Sequence, residues 1–446
     1  MVGRDAPARK RIWGWYFFDW ASQPFSTLVL TFVFSPFFVV VVGDGVRAQE
    51  LWGWALALSG VLIALMAPVL GAIADTRGRR MPWIVVFSVL YVAGSWALWL
   101  AVPDAPPETV LLVLLAFGVG MVGMEFATVF TNALLPDLVP EDQTGRVSGT
   151  GFAFGYWGGV LALAIMLALF VEQENGRTLA GLDPVLGLDP AAREGTRAVG
   201  PVTALWYLIF MIPFFLWVRE VRRPAAPGGI GRALADLRRS IAGLRKRASL
   251  ASYLGSSMVY RDALNGVYGF GGIYAVGVLG WSITQVGVFG VVGAISAAVF
   301  AWVGGRFDAK RGPKPVIVFC GVVLIVVCTV IVGMSRSAFF GVPLAEGSAI
   351  PDVVMYLCGA AIGGAGGALQ AASRTMMVLH ADPARPAESF GLYALSGKAM
   401  SFVSPALVAA ATAWSGSQQA GIVPIIAMLA LGLAWFLRVN PRGERG

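Results

Sequence analysis

Five charged residues stand inside long apolar runs of this chain: Asp19, Glu125, Arg261, Asp262 and Lys398. A charge is costly to hold inside a bilayer, and residues of this kind mark paths for protons, ions or polar solutes. Arginine presents a planar fork that suits a carboxylate or phosphate. Aspartate and glutamate can seat an ammonium group or carry an exchangeable proton. Such a set has the chemistry to hold a small zwitterion or anion. Glu125 is the first expected proton carrier, since Met121, Val122, Met124 and Phe126 offer it little solvation, and a poorly solvated carboxylate is the kind that exchanges a proton. Asp19 is the second. Helical spacing extends the set into stripes. Asp19, Ser22, Gln23 and Ser26 share a face, as do Glu125, Thr128 and Asn132; Arg261, Asn265 and Tyr268; and Gly363, Gly367, Gln370 and Arg374. Asp262 lies about 100° round from Arg261 and is placed to face a different neighbour. The candidate binding residues are therefore Asp19, Gln23, Glu125, Asn132, Arg261, Asp262, Asn265 and Gln370. Four polar stripes require a shared water-filled space, because the alternative is hydrocarbon.

The elements that must position these residues are membrane helices. The chain has 446 residues, 57% hydrophobic and 13% charged, with a mean hydropathy of +0.74. Soluble domains carry about 25% charged residues, so this chain has too little polar surface to cover a soluble core. Twelve stretches are long and apolar enough to cross a bilayer: 13–42, 51–74, 83–102, 109–132, 148–171 and 201–218, then 250–279, 283–304, 315–334, 351–373, 389–413 and 421–438. Pro24 and Pro36 predict that the first is tilted or kinked. Lys and Arg concentrate at the N-terminus, after every second span and at the C-terminus, whereas only Arg47, Arg177, Arg193, Arg197 and Arg336 fall on the opposite side. That asymmetry places both termini in the cytoplasm. It also accounts for the net charge of +8 without a nucleic-acid partner. Lipid headgroups are the expected contact for Arg245-Lys246-Arg247.

The chain is doubled. A basic linker, 219–249, separates a six-span half at 1–218 from another at 250–446, and its middle has Leu234, Leu237, Ile241 and Leu244 at amphipathic helical spacing. After the second span comes Gly71-Ala-Ile-Ala-Asp75-Thr-Arg77-Gly78-Arg79-Arg80; after the eighth comes Gly304-Gly-Arg-Phe-Asp308-Ala-Lys310-Arg311-Gly312. The loop resembles the signature of the major facilitator superfamily. The resemblance implies an all-α membrane protein of twelve helices in two pseudo-symmetric six-helix bundles, with helices 1, 4, 7 and 10 lining a central cavity. The charge distribution picks out three of those four, and Gln370 and Arg374 belong to the other. Asp75, Arg77, Arg79, Asp308, Lys310 and Arg311 then read as gating residues: glycine lets helices approach, the aspartate accepts from a facing helix N-terminus, and the arginines pair with carboxylates.

More specific stretches are similar to one branch, the vacuole-effluxer-like transporters, which comprise the autophagy-related vacuolar amino-acid effluxers and their bacterial relatives. They are Phe18-Asp19-Trp20-Ala21, Asn132-Ala-Leu-Leu-Pro136-Asp137, Arg146-Val-Ser-Gly149-x-Gly151-Phe-Ala-x-Gly155-Tyr156-x-Gly158-Gly159, Tyr260-Arg261-Asp262-Ala263-Leu264-Asn265, Gln370-Ala-Ala-Ser373-Arg374-Thr375, and Phe390-Gly391-x-Tyr393 with Gly397-Lys398. Ser22-Gln23-Pro24 and Ala263 depart from the branch. The resemblance implies secondary transport of a small polar metabolite, amino acids first, by alternating access; Asp19 and Glu125 motivate an expectation of proton coupling, and an inner-membrane monomer is expected. A lipid flippase on the same fold and a membrane sensor or scaffold are the alternatives.

Other chemistry finds no support. His380 is the one histidine, and Cys320, Cys328 and Cys358 lack CxxC spacing, so neither a metal nor a disulfide framework is expected. Gly118-x-Gly120-x-x-Gly123 has the dinucleotide spelling but lies within an apolar span, where glycine serves packing. Gly391 to Lys398 lacks the spacing of a phosphate loop, so neither a nucleotide nor any other cofactor is expected, and no enzymatic activity.

Overall fold

The protein, described by a computed structural model, is defined over residues 5–173, 175–221, 223–224, 229–281 and 283–443. The expected spans appear as helices. Ten cross-length apolar helices run Arg47–Arg77, Met81–Leu100, Pro107–Asn132, Glu141–Phe170 and Glu194–Trp217, then Gln285–Arg311, Pro313–Val332, Ile350–His380, Pro386–Ser415 and Gln418–Phe436. A bent pair, Ala8–Phe32 and Phe34–Val42, forms the first span. Ala248–Leu279 is the seventh, 32 residues long and interrupted by Arg261, Asp262 and Asn265.

The first span bends at Val33, three residues before Pro36, whose ring would clash with the Phe32 carbonyl of a continuous helix. Pro24 has no amide hydrogen to donate, and the helix continues from there as a π-helix over Phe25–Phe32 before bending by 46°. The eleventh span is interrupted too. One helix runs Pro386–Ala399 and a second runs Val403–Ser415. Pro405, the third residue of the second piece, explains the break, because its ring would clash with the Ser401 carbonyl of a continuous helix.

Cα proximity divides the chain into two units. The first comprises Met1–Ala67, Ala74–Leu138 and Phe154–Ala226; the second comprises Pro68–Ile73, Val139–Ala153 and Pro227–Gly446. The core of the first unit is aromatic. Phe25 packs on Tyr91 at 5.4 Å, Tyr91 stacks on Tyr207 at 4.1 Å, and the Tyr207 hydroxyl meets Ser88 Oγ at 2.8 Å. The third and fourth spans touch backbone to backbone at Gly94, Gly120 and Gly123, so glycine there is a packing device. In the second unit, Gly363 and Gly367 of the tenth span lie against Gly293 and Ala297 of the eighth. Leucine, valine and phenylalanine side chains such as Leu58, Leu65, Val89, Leu111, Leu115, Phe319 and Val326 are exposed on the outer faces, as a lipid-facing surface requires. A short hairpin, Ala338–Phe339 with Val342–Pro343, turns through left-handed Phe340 and Gly341 after the ninth span. Left-handed conformations at both turn residues are what a two-residue hairpin demands.

Candidate functional site

In the first unit, the polar stripe of the first span is half-buried between fully buried neighbours. Asp19, Ser22, Gln23 and Ser26 are all intermediate in exposure, whereas Phe18, Ala21 and Phe25 are buried. Glu125, Thr128 and Asn132 of the fourth span are likewise half-buried, and Phe126, Ala127 and Phe130 are not exposed. Trp15 ties these two spans together, its indole N–H donating to the Thr131 carbonyl at 3.0 Å. Gln23 is turned toward the fifth span, where a β-carbon on Gly159 would come within 2.9 Å of its Cγ.

In the second unit the seventh and tenth spans expose a polar face. Asn265 is exposed, Tyr268 is 44% exposed, and Gln370 Nε2 donates to the Tyr268 hydroxyl at 3.5 Å. Arg261 is half-buried. Its guanidinium lies 4.1 Å from the centre of the Tyr393 ring, and Nη1 donates to the Tyr393 carbonyl at 3.1 Å. The fork is thus held over an aromatic face, which limits the entropy it would lose on binding an anion. Gly397 leaves room for that guanidinium.

Two expectations about stripes divide here. Gln370 does meet the seventh-span stripe, but Gly363 and Gly367 are on the packing face of the tenth span. Arg374 is 3% exposed; within the second unit its Nε and Nη2 donate to Ser148 Oγ at 3.0 Å and to the Ser148 carbonyl at 2.8 Å, and it stacks on Phe152. Asp262 departs from its chain neighbour Arg261. It is 1% exposed, and Oδ2 accepts from the Ser404 amide at 2.8 Å.

The loop residues also have definite places. Asp75 pairs with Arg80 at 3.4 Å, and Arg80 reaches Asp137 at 3.0 Å and the Ala133 carbonyl at 3.2 Å. Arg223 completes the cluster, pairing with the other Asp137 oxygen at 3.0 Å. The backbone amides of Arg80 and Met81 donate to Glu220. Arg77 and Arg79 are exposed, Arg77 lying 6.0 Å from the Trp83 ring centre. In the second unit, Gly71 abuts the backbone of Ala387, and Asp308, 3% exposed, packs over Gly145 at the start of the fifth-span helix. Lys310 and Arg311 are exposed.

Sequence reasoning did not single out Arg80, Tyr393 or Ser404. Arg80 ends a run of three arginines that spelling alone does not rank, and Tyr393 and Ser404 acquire their roles only through the seventh span.

The chain matches the vacuole effluxer Atg22-like family over residues 38–445. It belongs to that family. An uncharacterized MFS-type transporter, YxiO of Bacillus subtilis (strain 168), is 25% identical over 427 residues, covering 94% of this chain and 92% of the relative. Autophagy-related protein 22 of Coccidioides immitis (strain RS) is 26% identical over 321 residues, 67% of this chain and 49% of the fungal protein, so the chain spans about half the length of that relative. The inner membrane metabolite transport protein YhjE of Escherichia coli (strain K12) is 30% identical over 143 residues, about a third of each chain. Among solved structures, the proton:xylose symporter XylE of the major facilitator superfamily superposes with a TM-score of 0.73 over 99% of this chain and 97% of XylE, at 12% identity. The superposition shows the fold. The Atg22-like chain is therefore a multi-pass membrane transporter of the major facilitator type, with the helical architecture its sequence implies.

Proposed function

We propose that the chain is a secondary active transporter of a small zwitterion or anion, with amino acids as the first class to test. It works by alternating access, coupled to protons, in the inner membrane with both termini in the cytoplasm. The observation that carries the reading is the polar face of the seventh and tenth spans. Asn265, Tyr268 and Gln370 are accessible on the seventh and tenth spans, and the Arg261 fork on the same seventh span is held over Tyr393. Asp19 and Glu125, half-buried on the first and fourth spans of the first unit, are assigned the coupling proton. Arg261 would take the carboxylate of the cargo.

The test has two parts. A thermal-shift screen of the purified protein against amino acids, sugars, nucleosides and organic anions should give a ligand that stabilises wild type and not Arg261→Ala. Proteoliposomes loaded with that ligand should then show flux that responds to an imposed pH gradient and that Glu125→Gln or Asp19→Asn reduces. Flux indifferent to pH, with both variants at the wild-type rate, removes proton coupling from the reading.

A lipid cargo is the second reading. It is favoured by an apolar cavity of about 500 Å³ among the eighth, ninth and tenth spans, lined by Phe300, Phe307, Phe319 and Gly364 and bordered by Arg311. A lipid stabilising the protein through Arg311, with no amino-acid response, would support it.

A further inference from the structure

The break in the eleventh span sits at the level of a buried carboxylate. Asp262 is 14 residues into the seventh helix and Lys398 is 12 residues into the eleventh span, which puts them at about 21 Å and 18 Å from the ends that both begin on the basic side. The second piece of the eleventh span, Val403–Ser415, opens with its amide dipoles toward this level. Its first amides are accounted for: Val403 donates to Met400, Ser404 donates to Asp262, Pro405 has no donor, and Ala406 donates to Phe402. Asp262 is thus a cap supplied from another helix.

A helix start alone would not define a ligand site; the unsatisfied groups do. Asp262 Oδ1 has no hydrogen-bond partner among the described residues, although the residue is 1% exposed. Ser404 is 0% exposed, and its Oγ, which crowds the space beside Gly266, also has none. A buried carboxylate oxygen and a buried hydroxyl left unpaired each cost stability. Both are relieved by one small cation. Half-helix ends and unwound backbone at membrane depth are where transporter folds place such ions.

We propose that Asp262, Ser404 and the break at Met400–Phe402 form a site for one monovalent cation, a proton or a sodium ion, whose occupancy controls the grip of the seventh span on the second half of the eleventh. With the site empty, ionised Asp262 is held by the helix start through Oδ2. Protonation places the hydrogen on Asp262 and removes its charge, so the cap weakens and the half-helix is released. Sodium would instead be shared among Oδ1, the Ser404 hydroxyl and carbonyls of the break. The surrounding charges are few. The twelfth span, packed against the seventh, has no titratable side chain. The eleventh brings Glu388, Tyr393 and Lys398; the tenth brings Asp352, Tyr356, Cys358, Arg374 and His380; the eighth brings Arg306, Asp308, Lys310 and Arg311. Arg261 is adjacent in the chain but turned to Tyr393. Glu388 is near Arg385 at 3.8 Å, and Asp352 is paired with Arg336.

The proposal rests on coupled transport only for its use, because cation binding can be read without cargo. Full-length protein reconstituted on a solid-supported membrane is given a proton jump or a sodium jump with no substrate present. Wild type should show a transient charge displacement with one of the two ions, and that ion is the occupant. Asp262→Asn should lose the greater part of it, while Glu388→Gln, at the start of the same eleventh span, retains it. Ser404→Ala, which keeps the carboxylate, should keep a proton response but lose a sodium response. Gel filtration and thermal unfolding of each variant confirm that it is folded; should Asp262→Asn not fold, infrared difference spectra of wild type and Ser404→Ala across pH report the protonated carboxyl directly. A displacement undiminished in folded Asp262→Asn, or one that disappears in Glu388→Gln, or no response to either ion, overturns the site. Failure of the amino-acid screen leaves this result unaffected.

Discussion

The fifth and eleventh spans hold the same place in their halves, and they solve the same packing problem differently. The fifth meets the first span through glycine. A β-carbon on Gly155 would lie 3.0 Å from the Asp19 carbonyl oxygen, and one on Gly158 would lie 2.9 Å from that of Trp20. Its helix runs unbroken from Thr144 to Ile165, with no proline. The eleventh meets the seventh across a break enforced by Pro405, and the contact is a carboxylate on an amide. Close backbone packing makes a rigid seam; a capped break makes one that a single proton or ion can loosen. The two halves are alike in plan and unlike in how the first helix of each is held: by glycine contacts in one, by a carboxylate on an amide in the other.

The starts of the third and ninth spans differ in the same sense. Arg80 is buried among two carboxylates and a carbonyl, whereas half-buried Lys314 Nζ donates to the Leu437 and Val439 carbonyls, each at 2.7 Å. One is an ion cluster; the other is a charge placed at a helix C-terminus.

These contrasts can be broken by substitution. The largest effect is expected for Asp262→Asn, which should take gradient-driven flux in proteoliposomes to background while Glu388→Gln, at the start of the same span, does not. Next comes Arg80→Ala. It removes the ion pair of Asp75, whose side chain is 3% exposed, and leaves Asp137 to Arg223; the cost should be about 3 kcal/mol, seen as loss of folded protein in a detergent unfolding titration. Gly155→Leu overpacks a seam with no break to absorb it and should cost about 1–3 kcal/mol by the same measurement. Lys314→Ala removes hydrogen bonds from a charged donor that water can partly replace, and about 1–2 kcal/mol is expected. The smallest change in stability is expected for Pro405→Ala. Its clearest readout is hydrogen exchange at Met400–Ser404, which should slow as the eleventh helix closes. If exchange there is unchanged, the break has another cause.

Much of this was readable from spacing. Among the described residues ten of the apolar runs are helices long and apolar enough to cross a membrane, the first is a bent pair, and Pro24 and Pro36 announced its bend. The positions of Asp19, Glu125, Asn265 and Gln370 on half-buried or exposed faces follow from helical periodicity, because a wheel sorts residues by direction. A wheel does not say which neighbour lies in that direction. Gly363 and Gly367 share a stripe with Gln370 but pack against the eighth span, since a helix surrounded by others has several buried faces. Asp262, one step round from Arg261, met the eleventh span for the same reason. The break itself had a visible cause in Pro405, yet prolines inside spans are tolerated too often for that residue alone to announce an interruption. Arg80 needed the partner Asp137, 57 residues away, before it could be told from Arg77 and Arg79.

Two short pieces of the first half, Pro68–Ile73 and Val139–Ala153, group with residues beyond Pro227. Gly71 rests on Ala387, and Gly149 rests on Ala301 and Gly305. Chains are made from the N-terminus, and early segments settle as they emerge. These two cannot: their partners are synthesised more than 150 residues later. During synthesis the glycine faces of the second and fifth spans must wait uncovered in the bilayer, so the first half made alone should be a target for membrane proteases until the second half is supplied.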